Sequence, residues 1–160
     1  GAAALQRTIV GYDLDEEDHW IALLDCAHGQ HVRHRPPFTE RAWTQTSQGR
    51  DDMLGTQLDC LKCERLELPQ SVEVYSSTPE FNENTLPASL TRNHTTKRGV
   101  WGQLKVLEGT LDYVVTSPFQ HSARVVAGDG AHIAPEVLHF ITPLTPTVRL
   151  IVEFLRVPKA

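Results

Sequence analysis

A mainly β chain in two unlike modules is what this sequence predicts: a small zinc-stabilised β-hairpin and short-helix unit, then a larger β-barrel or sandwich. Three observations carry that expectation. Cys26, Cys60 and Cys63 all lie in the first 63 residues, and the remaining 97 have no cysteine. Cys60 and Cys63 form a C-x-x-C knuckle within reach of a histidine-rich stretch. From Gly99 onward, short β-rich runs alternate with glycine and proline turns. The expected domains are residues 5–65 and 66–160.

Composition narrows the function classes. The chain has 160 residues, 40% hydrophobic and 22% charged, an ordinary globular balance. Its net charge is −5, and residues 5–63 hold six Lys/Arg against ten Asp/Glu. Nucleic-acid affinity comes largely from basic side chains neutralising phosphates, so no nucleic-acid partner is expected. The longest apolar run, "VRLIVEFL", falls far short of the ~20 residues of a membrane-spanning helix. The start of the chain lacks a charged-then-apolar signal pattern, so a cytoplasmic location without membrane attachment is expected. The opening "GAAA" reads as a remnant of expression and is set aside.

In the first module, "RTIVGYDLD" and "HWIALLDCAHGQHVRH" read as two strands joined by the acidic turn "DLDEED". "RPPF" stops regular structure because proline lacks an amide donor. "SQGRDDMLGTQLDC" then forms a short helix that leads into the cysteine pair. A seam is expected in "ERLELPQS", residues 64–71. The second module reads as six strands: "GVWGQLKVL", "TLDYVV", "ARVVA", "AHIAP", "LHFITPL" and "TVRLIVEFLRV".

The stretch "DCAHGQHVRH" puts one cysteine and three histidines into ten positions. C-x-x-C points two thiolates at one ion from a tight knuckle, and "CAH" supplies two more ligands of a tetrahedron. Soft thiolates with imidazole suit Zn²⁺. On a strand, Cys26 and His28 share one face while His31 takes the other, which favours Cys26, His28, Cys60 and Cys63 as the set. If the strand ends at Gly29 the parity breaks, and His31 becomes a rival. The alternatives are a dithiol redox pair, which lacks its usual βαβ context here, and cysteines that serve only as small core residues. A zinc site in so small a module would be structural, adding folding free energy that a limited core cannot supply. His34, beside Arg33, Arg35 and two prolines, is a candidate contact for an anion or a partner, or simply an exposed strand end.

"GDGAHIAPEVLHF", residues 128–140, resembles the second motif of cupins, in which a Gly-Asp turn, a strand, a proline and a histidine deliver one metal ligand into a small β-barrel. The first cupin motif is incomplete: "RNHTTKRGVWGQLKVLEG" offers only His94, and Gly102 stands seven residues before Gly109, where a glutamate is usual. With "GVWGQLKVLEG" and "APEVLHF", residues 72–157 resemble the cupin-like proteins related to the carboxy-terminal domain of a tellurite-resistance protein. "CAHGQHVRHRPPF" followed by C-x-x-C resembles a small bacterial domain of unknown function that occurs fused to it. The resemblance implies a single cupin barrel, a double-stranded β-helix, able to hold iron or zinc.

Glu153 sits in "RLIVEFL", apolar on both alternating faces, where a carboxylate needs a cation. That cation is a metal, held by His94, His139 and Glu153, or else Arg92 or Arg98. The two histidines can also be a plain hydrogen-bonded pair. Trp101, Tyr113 and Phe140 are candidate walls of such a site. Two functions stay open. One is a small metalloenzyme acting on a reactive or toxic small molecule. The other is a non-catalytic sensor or adaptor that binds a small ligand and contacts a protein through its zinc module. Barrels of this type often pair through edge strands, so a homodimer is a further expectation.

Overall fold

The computed structural model describes residues 5–159, and the opening "GAAA" lies outside them. Twelve strands, β1 (Gln6–Leu14), β2 (Trp20–Leu24), β3 (Gly29–His31), β4 (Gln57–Asp59), β5 (Glu73–Ser77), β6 (Phe81–Asn82), β7 (Trp101–Glu108), β8 (Thr110–Ser117), β9 (His121–Val126), β10 (Gly130–Ile133), β11 (Leu138–Pro143) and β12 (Arg149–Arg156), pair antiparallel throughout. Two short helices, α1 (Ser47–Met53) and α2 (Leu61–Glu64), both lie in the first half. The strands form three sheets: β3-β2-β1-β4, then β10-β7-β12-β5 with β6 beside β12, then β11-β8-β9.

The first sheet departs from the expected two-strand hairpin. Chain 19–34 is not one strand but two, β2 and β3, with a turn at residues 25–28 between them. Ala27 takes φ 75°, and the turn closes through Ala27 N–H to Leu24 O at 2.9 Å and Leu24 N–H to His28 O at 3.0 Å. Ahead of the cysteine pair the expected helix is shorter than its sequence stretch. It ends at Met53, and β4 pairs Gln6 with Asp59 and Arg7 with Leu58. Thr46 caps α1, its hydroxyl accepting from Gly49 N–H.

All six expected strands of the second half form. β5 and β6 carry no alternating pattern; they are short and largely polar and owe their pairing to β12. Interior positions alternate along β7 and β8, with Leu104 and Val106 on one, and Leu111, Tyr113 and Val115 on the other, all buried. The buried apolar residues make one cluster that runs from Leu5 and Ile9 through Cys26 and Trp101 to Leu150 and Leu155. Among the described residues, no helix is long and apolar enough to cross a membrane.

Gly109 turns β7 into β8 with φ 78°, and a Cβ there would stand 2.3 Å from Thr147 O. Only glycine satisfies both constraints. Gly109→Ala is expected to destabilise the chain by at least about 2 kcal/mol in chemical unfolding, since strain at positive φ and a backbone clash add.

Candidate metal centre and the cavity between the sheets

Cys26 and His28 come from the β2–β3 turn, Cys60 from the start of α2 and Cys63 from within it. All four are buried, and one ligand atom from each lies within 4.8 Å of the others. His28 Nδ1 stands 3.4, 3.3 and 3.5 Å from the sulfurs of Cys26, Cys60 and Cys63, and Cys26 Sγ is 3.9 Å from Cys60 Sγ. A tetrahedron with metal–sulfur bonds of about 2.3 Å and a metal–nitrogen bond of about 2.05 Å has S···N edges of about 3.5 Å and S···S edges of about 3.8 Å. The edges of the cluster match, so these three cysteines and one histidine can hold a metal ion such as zinc.

The surroundings support that fit. His28 Nε2–H donates to Glu67 O at 2.7 Å, which fixes the tautomer and leaves Nδ1 facing the sulfurs. Arg7, 4% exposed on β1, donates from Nε to Cys63 Sγ at 3.4 Å and from a terminal nitrogen to Pro135 O at 2.7 Å. Electrostatics ask for positive charge at the centre. Hydrogen bonding between the thiols holds Cys60 far below the usual thiol range and pushes Cys26 up. Burial opposes charge on His28, yet its hydrogen bonds to Cys60 and Cys63 raise its pKa to about 9.

His31 stands apart from this set. It is exposed, and its Nε2 pairs with Asp15 Oδ2 at 3.0 Å. The tight turn at Ala27 brings Cys26 and His28 together, where the sequence reading relied on strand parity. Arg7 and Trp101 were missed as members of the site. Trp101, expected to wall the second site, instead faces the metal centre: its Nε1–H donates to Cys26 O at 2.7 Å and its ring meets His28 edge-on at 5.4 Å. The centre is thus built against the second half of the chain. His132 Nδ1–H adds a bond to Leu66 O at 3.1 Å, and Arg98 pairs with Asp25 at 3.0 Å.

The second site is assembled only in part. His94, in the segment before β7, exchanges both backbone hydrogen bonds with His139 at 3.0 Å each, so their rings lie side by side with centroids 4.1 Å apart. His139 Nδ1–H donates to Val137 O and His94 Nδ1–H to Arg92 O, leaving each Nε2 as an acceptor. Both rings line a cavity of about 320 Å³ between the second and third sheets, whose other walls include Leu104, Ile133, Ile141, Val152 and Phe154.

Glu153 does not join them. Val152, its neighbour on β12, points into the cavity, so Glu153 takes the opposite face and meets Lys105 Nζ at 2.6 Å from the adjacent strand β7. The cation that answers this carboxylate is therefore Lys105, not Arg92, Arg98 or a metal shared with the histidines. Where the first cupin motif has a glutamate, Gly102 leaves space that the Ile133 side chain fills, 3.1 Å from where a Cβ would be. Tyr113 is buried beside His139, ring centroids 5.8 Å apart, and its hydroxyl has no hydrogen-bond partner among the described residues, while Phe140 is not among the cavity walls.

Burial, more than the proximity of His94, lowers the His139 pKa to about 4. An unfolded chain takes up that proton near pH 6.5, whereas the folded protein does so only near 4. Stability from this residue is therefore full above pH 6.5 and falls as the pH drops to 4, by on the order of 3 kcal/mol. Unfolding free energies measured between pH 7 and 4 check this: the loss is expected to be smaller by that amount in His139→Gln.

Comparison with known proteins bears on both halves. Residues 10–67 match a family described as a protein of unknown function (DUF3565), and residues 76–152 match the TehB-like domain. A solved protein from Escherichia coli K12 is 29% identical, with a TM-score of 0.53 over 58% of this chain and 98% of its own. TehB from Haemophilus influenzae has the same fold in part, at 21% identity and a TM-score of 0.50, over 54% of this chain and only 32% of TehB. Among curated proteins, the E. coli K12 "Uncharacterized protein YeaR" is 30% identical over 103 residues, which span 59% of this chain and 86% of YeaR. A mainly β chain with a DUF3565 domain at residues 10–67 and a TehB-like domain at 76–152, it belongs to the family of YeaR.

Proposed function

We propose that the protein is a small-molecule-binding cupin barrel held to an amino-terminal zinc module, with His94 and His139 as the ligand-facing pair. The observation that carries this reading is the two Nε2 acceptors at one wall of a largely apolar cavity. Two lone pairs side by side repel unless a donor or a cation stands between them. A metal ion there would find two neutral ligands and no carboxylate, because Glu153 is spent on Lys105 across the sheet. Desolvating a dication in that setting is costly. A hydroxyl, amine or thiol on a small, mostly apolar molecule satisfies both acceptors at lower cost. The likeness to TehB, with the tellurite-resistance family it stands for, supports a reactive or toxic small molecule as the natural ligand.

The test uses 1-butanol and butane-1-thiol as probes, read by the methyl signals of Ile133 and Ile141. Saturable shifts are expected in the unaltered protein, weakened about fivefold or more in His94→Leu/His139→Leu, which keeps volume but removes the acceptors. Shifts of equal strength in both proteins would sink the reading. Elemental mass spectrometry on the same samples addresses the metalloenzyme alternative, which the carbonyl-anchored Nδ1 atoms favour. One zinc per chain in both proteins agrees with the binder. A second metal, present only with the histidines intact, moves the conclusion to an enzyme whose open coordination positions take water, dioxygen or substrate.

A further inference from the structure

The "RHR" stretch before the paired prolines serves neither the metal centre nor the cavity between the sheets. Its side chains line a separate cleft of about 300 Å³ on the first sheet, with Val32 and Thr44 buried at its floor and His19, Gln45 and Asp18 at its sides. Among the described residues, Arg33 Nε is buried and has no hydrogen-bond partner, whereas His19 Nδ1 lies 3.6 and 3.7 Å from the carboxylates of Asp15 and Glu17. A guanidinium donor removed from water without an acceptor costs free energy, which an arriving acceptor recovers.

The local scaffold holds the donors in place. Arg35 and Thr39 exchange backbone bonds at 2.8 and 2.9 Å, closing the loop around the prolines. Arg41 N–H donates to His34 Nδ1 at 2.9 Å, so the His34 proton sits on Nε2 and that atom is a donor. Among the described residues, neither Arg33 nor Arg35 forms an ion pair. The acidic turn beside them does not neutralise them: Asp15 is occupied by the backbone N–H groups of Glu17 and His19 and by His31. Asp18 is the one carboxylate among the cleft walls, against two arginines.

We propose that this cleft is a binding site for a phosphate-type oxyanion, free or as a monoester, held by Arg33, Arg35 and His34 Nε2. Guanidinium groups take tetrahedral oxyanions through paired N–H donors, and a cleft of this volume admits an anion with a small substituent. The site is independent of whatever the cavity between the sheets binds.

Titration of the full chain with inorganic phosphate, at constant ionic strength, tests it through the Trp20 indole and His34 ring NMR signals. Saturable shifts are expected, with affinity at least tenfold weaker in Arg33→Gln and in Arg35→Gln and unchanged in His94→Leu/His139→Leu. Arg35 is exposed, so its variant keeps the test sound should Arg33→Gln fold poorly. O-phosphoserine in place of phosphate separates the sources. Tenfold tighter binding identifies a monoester, and equal binding identifies the free anion. The absence of saturable shifts with both probes, or affinity unmoved by both arginine changes, overturns the proposal.

Discussion

Cys63→Ser is expected to purify without zinc and to melt at least 10 °C below the unaltered protein. Sulfur at this position does two things. It closes the Cys₃His tetrahedron, and it accepts the hydrogen bond from Arg7 Nε, whose other end is fixed to Pro135 O. Serine removes the soft ligand and with it the folding free energy that metal binding supplies, while its hydroxyl still offers Arg7 an acceptor, for a loss of about 4 kcal/mol or more. For a chain of this length, that lowers the melting temperature by roughly 10 to 15 °C. Thermal melts with and without a strong chelator check the account. The unaltered protein should fall toward the variant when chelated, and the variant should not respond. A chelator-insensitive unaltered protein with one zinc per chain would place the ion elsewhere. Acid should weaken the centre as well, because the thiols and His28 must shed their protons to bind.

Trp101→Ala is expected to cost about 3 to 5 kcal/mol and to loosen the metal at the same time. The indole is fully buried at the head of β7, stacks edge-on against His28 and donates to Cys26 O. Truncation opens a large hole in the shared core and strands a carbonyl. Trp101→Phe separates the two effects. It keeps most of the apolar contact and loses the hydrogen bond, so about 1 to 3 kcal/mol should go, with faster release of zinc to a chelator. Denaturant unfolding followed together with metal release is the measurement. One transition for both signals is expected, because Trp101, Arg7, His132 and Arg98 all tie residues 7–66 to the second half. Two transitions in the unaltered protein would show that those ties carry little energy.

How far the sequence could be read depended on how local each signal was. The β-runs after Gly99 are set by period-two alternation and by turn residues, both of which act over a few positions, and all six formed as strands. β5 and β6 lack such a pattern, since their pairing energy comes from the neighbouring strand β12. The C-x-x-C and C-x-H spacings named the four residues that the fold gathers into one cluster able to hold a metal ion. Strand parity favours His28 in the sequence, whereas the folded chain turns at Ala27 and both ligands leave one tight bend.

Glu153 shows the opposite limit. Its segment is apolar on both faces in the sequence, so parity could not say which face was interior. Register with β7 placed Lys105 diagonally across from it and settled the matter. Arg7 and Trp101 carried no motif at all. Their roles arise only where distant segments meet, 56 residues apart for Arg7 and Cys63, 128 for Arg7 and Pro135 and 75 for Trp101 and Cys26.

By itself, then, the amino-acid sequence determined the six strands after Gly99 and which three thiols and one imidazole stand at the spacing of a metal cluster. The tertiary structure alone decided that Trp101 from the second half covers the Cys₃His cluster, that His94 and His139 face a cavity without a carboxylate, and that Arg33 and Arg35, without an ion pair among the described residues, line a cleft. The physical reason is range. Backbone preference and ligand spacing are written within a few residues, while burial, ion pairing and the direction of a side chain are set by whichever distant strand comes to lie beside it.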